Sequence, residues 1–424
     1  MKEIKLVGLD QSVYHETLEN GLEVYFIPYK NKTNYSMHYI TKFGSINTKF
    51  YPIGEKELLK VPDGIAHFLE HKMFEQEDGV DPFTFASKSG TNSNASTSYK
   101  ITRYYFEGSN SFKENLDYLL TYIHSPYFTE ENVEKEKGII AEEIMQYDDE
   151  IDWILDEELR KSLFQKDPTR IDIAGTVESI SEITEELLYK TYHTYYQPSN
   201  MILLISGSFD MNEALEVIKN NKALNNAKTN QEIKEKRSKE PVEVARKEYS
   251  FEFPIVNPKV AYGIKIPVKG VKDKFRFNLY VGMILNVLFG LSSEFRERMK
   301  KEKLMTSFYN ERDFVGDYLV VNFYADSSNA KKLVEEIKKE IKTGNITEEE
   351  IERLKKVWIS SEVVMIDNIS LTLDNLLDDI INYGKIIENK IELYKSMNKK
   401  ELDEIYQEID FENASVVYVE AKES

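Results

Sequence analysis

The chain has 424 residues, no cysteine, and 55 Lys and Arg against 74 Asp and Glu, a net charge of −19. That length exceeds what one core usually fills, so two or more domains are expected; 41% hydrophobic and 30% charged residues is the balance of a globular chain. The acidic balance argues against nucleic-acid binding, and the lack of cysteine removes disulfides, thiolate metal sites and a cysteine nucleophile.

The segment 1–21 has no apolar run of signal-peptide length. The longest apolar runs, such as 201–205, read as strand-sized, which predicts no membrane span and, by default, a cytoplasmic location. Segments 21–28 and 35–43 alternate as strands do. Helical periodicity follows at 64–75, 112–124, 129–147, 151–165 and 184–196, and 201–206 reads as a buried strand. Residues 221–240 are polar and read as a solvated linker. Strands are then expected at 247–254, 259–267 and 317–325, and helices at 274–289, 329–342 and 347–366. The aromatic runs at 104–106 and 192–196, and both Trp153 and Trp358, read as core. The expected organisation is a lobe over 1–220, a linker over 221–240 and a second lobe over 241–424.

The halves echo one another. Thr129-Glu130-Glu131 opens a helix, and Thr347-Glu348-Glu349 opens another 218 residues later. In each, threonine is a candidate N-cap and the acidic first turn suits the helix dipole. Many helices start this way, so the match suggests a duplication without establishing it.

The segment 63–74 is the most informative. At 100° per residue, Ile65, Phe68, Leu69 and Met73 form one stripe, and His67, Glu70 and His71 lie opposite. Histidines at i and i+4 are one turn apart and can reach a single metal ion, with Glu70 beside them to hold a water. The plainer reading is a solvated face that happens to bear histidines. A catalytic zinc site wants three protein ligands and a water, so without cysteine the third is a carboxylate or another histidine. His15, His38, His124 and His193 stand isolated and read as structural or surface groups. In the helix from Thr129, however, Glu136 and Glu143 fall on the inward stripe of Val133 and Ile140, whereas Glu131, Glu134 and Glu142 point away. A core-facing carboxylate needs an ion pair or a metal. The corresponding second-half positions are Leu354 and Ser361, so the inward pair is particular to the first half.

His67-Phe68-Leu69-Glu70-His71 followed by Glu136 and Glu143 resembles the inverted zinc motif of the insulinase–pitrilysin metallopeptidases. The stretch 134–144, Gly175-Thr176 and Tyr196-Gln197-Pro198-Ser199-Asn200 resemble later landmarks of that family; the likeness runs over about 18–210 and more loosely onward. It looks nearest to short bacterial, processing-peptidase-like members found beside a partner lacking the zinc motif. The resemblance implies an α+β fold of two related lobes, each a mostly antiparallel sheet covered by helices, forming a clam-like chamber. It implies one Zn²⁺ per chain on His67, His71 and Glu143, with Glu70 as general base and Glu136 orienting a ligand. Asn94, Ala95, Ser96 and Thr97 resemble the edge strand that pairs with peptide backbone; an ordinary polar edge or loop is the alternative.

One departure stands out. In the family the chain resembles, members that work alone, or the partner of a pair, carry Arg and Tyr in a second-half stretch like Arg-Glu-x-x-Gly-Leu-x-Tyr. Here that stretch reads 299–306, with Met299 and Thr306 at those positions; Arg296, Arg298 and Tyr309 lie close enough to substitute if the register slips. The expected function is therefore a zinc endopeptidase subunit acting on short or unfolded peptides. A zinc-free homologue would supply the missing pair as a heterodimer, with a homodimer as the alternative arrangement. A non-catalytic peptide-binding or scaffold subunit of the same fold is the competing function, and no nucleic acid or membrane is expected as partner.

Overall fold

The computed structural model describes residues 1–227 and 231–422; the linker positions 228–230 lie outside the described residues. The chain forms two compact units. One comprises 1–146, 171–237 and 365–388, the other 147–170, 238–364 and 389–424.

The first unit is built on a seven-stranded sheet in the spatial order Lys2–Lys5, Ser12–Thr17, Glu23–Pro28, Met201–Gly207, Tyr35–Thr41, Thr102–Gly108, Asn92–Thr97. All neighbours are antiparallel except Glu23–Pro28 with Met201–Gly207. The central strands Tyr35–Thr41 and Met201–Gly207 are buried along their whole length because both faces of the sheet are covered. Val24, Phe26, Met37, Tyr39, Tyr104 and Phe106 face one core, which takes in the apolar sides of the helices Ile65–Lys72, Phe112–Ile123 and Glu185–Tyr195. Ile27, Ile40, Ile202 and Leu204 face the other, against Leu373, Leu376 and Leu377 of the helix Ile369–Tyr383.

The second unit has five strands in the order Glu248–Phe253, Ala414–Ala421, Lys259–Pro267, Tyr318–Asp326, Ser307–Val315, again with a single parallel pair, the first. Leu155, Leu159 and Leu163 of the helix Ile151–Leu163 pack against Ala261, Val320, Tyr324 and Val417. Phe323, on the alternate face from Tyr324, meets Phe289 of the helix Lys274–Phe289 with ring centroids 5.0 Å apart.

The two helices that echo in sequence are each 18 residues long, Glu130–Tyr147 and Glu348–Met365. Each is opened by a reciprocal threonine cap. Thr129 Oγ1 accepts from Asn132 N while Asn132 Oδ1 accepts from Thr129 N, and Thr347 makes the same exchange with Glu350. With one parallel pair in each sheet, this favours two copies of one unit.

Several expectations need correction. The units are not contiguous stretches: the helix Ile151–Leu163 belongs to the second and Ile369–Tyr383 to the first, because that is where their leucine stripes are buried. The polar stretch 221–240 is not a free linker. It holds the helix Lys222–Asn226, the strand Lys234–Glu235 pairs with Lys49–Tyr51, and Glu240 is buried. Glu240 accepts from the N–H groups of Gln165, Lys166 and Asp167 and from Nζ of the fully buried Lys265 at 2.7 Å. The longest apolar stretch is not strand-sized. Lys274–Lys301 is long and apolar enough to cross a membrane by composition, yet 67% of its apolar window is buried within the protein, as in the core helix of a folded unit. Trp153 is 38% exposed and stacks on Tyr147 instead of entering the core, and Trp358 is half-buried against Tyr394.

Candidate metal centre

The start of the histidine helix, Ile65–Lys72, is fixed by two glycines set back to back. Gly64 has φ +89° and Gly175 has φ +76°; a Cβ on Gly64 would lie 2.3 Å from the Ala174 carbonyl oxygen, and one on Gly175 2.5 Å from that of Asp63. Ser179 Oγ donates to the same Asp63 carbonyl at 2.8 Å. The helix that follows is buried over more than its apolar stripe. Ile65, Ala66, Phe68 and Leu69 are buried as their period predicts, but so are Glu70 and Lys72. His67 and His71 remain partly accessible.

The glutamate helix, Glu130–Tyr147, buries Val133, Glu136 and Ile140, while Glu131, Glu134 and Glu142 are exposed. Its inward side brings Glu143 to both histidines: His67 Nε2 lies 3.7 Å and His71 Nε2 3.5 Å from its carboxylate oxygens. One donor atom from each of His67, His71 and Glu143 lies within 4.8 Å of the other two. A tetrahedral ion with bonds near 2.1 Å sets its ligands about 3.4 Å apart, close to the two histidine–glutamate distances, and two imidazoles with a carboxylate are a donor set that suits zinc.

Glu136 stands behind the site. Its Oε1 lies 3.0 Å from His71 Nδ1, and Lys72 Nζ is 3.7 Å from its other oxygen and also meets Glu75. Burial would raise the Glu136 carboxyl, but the His71 hydrogen bond and charge more than offset it, so its pKa is lowered. Burial likewise pulls His71 down, and the carboxylates of Glu136, Glu70 and Glu143 outweigh it and raise its pKa. His67 is pushed down to about 4, by burial first and by the neighbouring His71 second, so its ring is neutral at pH 7. Glu70 is raised by burial, with the Thr97 hydroxyl hydrogen bond to its Oε2 (2.5 Å) acting the other way.

Asn94, Ala95, Ser96 and Thr97 lie on Asn92–Thr97, the terminal strand of the sheet, whose outer backbone edge pairs with no other strand among the described residues. Thr97 turns its hydroxyl to Glu70, Ser96 Oγ accepts from Arg103 Nε at 2.9 Å, and Asn94 borders a cavity of ≈ 600 Å³ with Glu70, His71, Phe74, Phe83 and Lys135. Sequence reasoning missed two of these roles. Lys72 gave no signal beyond its place next to His71, and the Thr97–Glu70 contact joins elements 27 residues apart. His38 is buried beside Ser36, His124 is half-buried beside Tyr39, and His15 pairs with Glu23.

In the second unit, Met299 is fully buried and Thr306 exposed. Lys303 has φ +57°, the left-handed conformation that suits glycine. It stands where the expected motif has its glycine, with Leu304 following.

Two helices converging on a sheet edge, with two imidazoles and a carboxylate at one point, define a two-unit α+β protein bearing an inverted H-x-x-E-H metal motif. The sequence matches the Insulinase (Peptidase family M16) family over residues 60–177 and the Peptidase M16 inactive domain over 182–357. It is 40% identical over 368 residues, 85% of each chain, to the uncharacterized zinc protease YmfH of Bacillus subtilis (strain 168). It is 27% identical over 379 residues, covering 84% of this chain and 80% of the other, to the zinc protease PqqE of Helicobacter pylori. The crystal structure of an M16-like peptidase from Alicyclobacillus acidocaldarius superposes with a TM-score of 0.91 at 30% identity, over 98% of this chain and 100% of that one. The chain belongs to the M16 insulinase family of peptidases.

Proposed function

We propose that the chain is the zinc-bearing subunit of an endopeptidase that hydrolyses short or unfolded peptides. The observation that carries this reading is the convergence of His67 Nε2, His71 Nε2 and Glu143 on one point, with the buried Glu70 carboxyl beside them. His67, His71 and Glu143 would hold the ion, and Glu136 would orient His71. A bound zinc ion would supply Lewis-acid polarisation of the scissile carbonyl and lower the pKa of a water.

The protein's own groups do the rest. The edge of Asn92–Thr97 pairs with the backbone of an extended peptide, which gives affinity with little regard to side chain. Glu70 takes a proton from the attacking water and delivers it to the leaving amine. Its burial raises its pKa, which suits an acid–base group, and Thr97 holds one oxygen so that the other faces the substrate. The buried Met299 and exposed Thr306 leave the second unit without the Arg and Tyr of the family motif. This favours a heterodimer in which a zinc-free homologue provides them.

The test is cleavage of a quenched mixed-peptide library by the zinc-loaded chain, alone and with such a homologue, beside Glu70→Gln. Cleavage that needs the homologue and disappears with Glu70→Gln supports the reading. Full activity of the pure homomer would remove the heterodimer, and activity unchanged by Glu70→Gln would remove the mechanism. A loaded chain that binds peptides and never cleaves them, with any partner, would instead mark a scaffold subunit.

A further inference from the structure

Nothing of the Lys72 side chain is exposed, although it follows His71 directly and ends the helix Ile65–Lys72. An ammonium taken out of water is costly unless charged or polar partners surround it, and an apolar residue would fill a buried position without that cost. Among the described residues, its Nζ meets two carboxylates. It donates to Glu75 Oε2 and lies 3.7 Å from Glu136 Oε2.

The two carboxylates differ. Glu75 is half-exposed, three residues further along the chain, and borders the cavity beside the candidate metal point. Such a carboxylate is well served by water and gains little from an ion pair, so it does not account for the burial of Lys72. Glu136 is buried, comes from the separate helix Glu130–Tyr147, and has its other oxygen 3.0 Å from His71 Nδ1. One carboxylate therefore bridges neighbouring residues, with Oε1 on the imidazole and Oε2 toward the ammonium. A glutamate held by one oxygen still turns about its broad terminal torsion. A charge at the second oxygen opposes that turn and keeps the first aimed at the ring.

We propose that Lys72 is a positioning residue, which acts through Glu136 to hold the His71 ring with Nε2 directed at the metal point. The proposal rests on the reading of His67, His71 and Glu143 as a metal centre, but the Lys72–Glu136–His71 linkage is a property of the metal-free chain as well. The bland alternative is a local staple, in which Lys72 serves only to tie the end of its helix to Glu75.

The test is a double-mutant cycle on zinc affinity in the intact chain, measured by chelator competition, over Lys72→Met, Glu136→Gln and the two together. Lys72→Met keeps the length of the side chain and removes its charge. It is expected to weaken zinc binding about tenfold in the parent and by no more than about twofold once Glu136 is Gln. Lys72→Gln, which keeps a donor, covers failure of the Met variant to fold and should lose about threefold or more. Glu75→Gln should leave the affinity within about twofold of the parent. A second readout needs no zinc. The imidazole Nδ1–H signal of His71 in the metal-free chain, assigned by its loss in His71→Gln, should exchange with water about tenfold faster in the Lys72 variants. Equal losses of zinc affinity with and without Glu136, or a Glu75→Gln loss as large as that of Lys72→Met, would make Lys72 a staple and overturn the proposal. Unchanged Nδ1–H exchange would overturn it even if the parent bound no zinc. A parent without zinc whose exchange still quickened would fail the metal reading and leave the linkage standing.

Discussion

Nδ1 of His71 lies 3.0 Å from a carboxylate oxygen of Glu136, and the opposite nitrogen of the same ring faces Glu143 at 3.5 Å. A carboxylate that accepts from Nδ1–H fixes the tautomer and leaves the Nε2 lone pair directed at the candidate metal point. Glu136→Gln should therefore weaken zinc binding about 10- to 100-fold without unfolding the first unit. Competition with a chromogenic chelator measures this, and unchanged affinity would remove Glu136 from its orienting role.

Thr97 separates two functions by its pH behaviour. Its hydroxyl donates to Glu70 and holds that carboxyl down against burial, so Thr97→Val should raise the Glu70 pKa further. The acid limb of kcat/KM then moves to higher pH, and activity at low pH falls first. If Thr97 served only the substrate backbone, KM would rise and the limb would stay where it is.

Glu240 bears on stability, not chemistry. Its partner Lys265 is fully buried, with Glu240, the Leu163 carbonyl and the Pro241 carbonyl around its ammonium. Removing one member of such a pair leaves an uncompensated buried charge, so Glu240→Gln should lower stability at pH 7 by about 3–5 kcal/mol. The Glu240 pKa lies below its ordinary 4.5 in the folded chain, opposing its burial through Lys265 and three backbone N–H groups. Its ionisation therefore stabilises the fold fully above 4.5, and that stabilisation is lost as pH falls through the lowered value. Chemical denaturation of both proteins should show the gap closing below that pH.

The positions of the site helices were legible because both obey the 3.6-residue period. His67 and His71 are one turn apart, and Glu136 and Glu143 nearly two, so side chains on one face could be paired before any coordinates. The strand Tyr35–Thr41 was legible from its alternation and Met201–Gly207 as an apolar run. Elements held together by non-local packing were not. Lys2–Lys5 and Ser12–Thr17 are short and polar on one side, and the helix Ile369–Tyr383 shows its role only through the sheet it covers. Glu240 looked like solvated linker because its four partners come from residues 165–167 and 265, far away in sequence. Lys72 offers the same lesson at the site: a lysine next to a histidine gives no hint that it is fully buried beside Glu136.

The most direct test of the central claim is metal content. The purified chain, equilibrated with zinc and exhaustively dialysed, should retain one zinc per chain by elemental analysis, and Glu143→Gln, equally folded by circular dichroism, should retain far less. Zinc absent from the parent chain, or held equally by the variant, would contradict the assignment of His67, His71 and Glu143 as the metal centre.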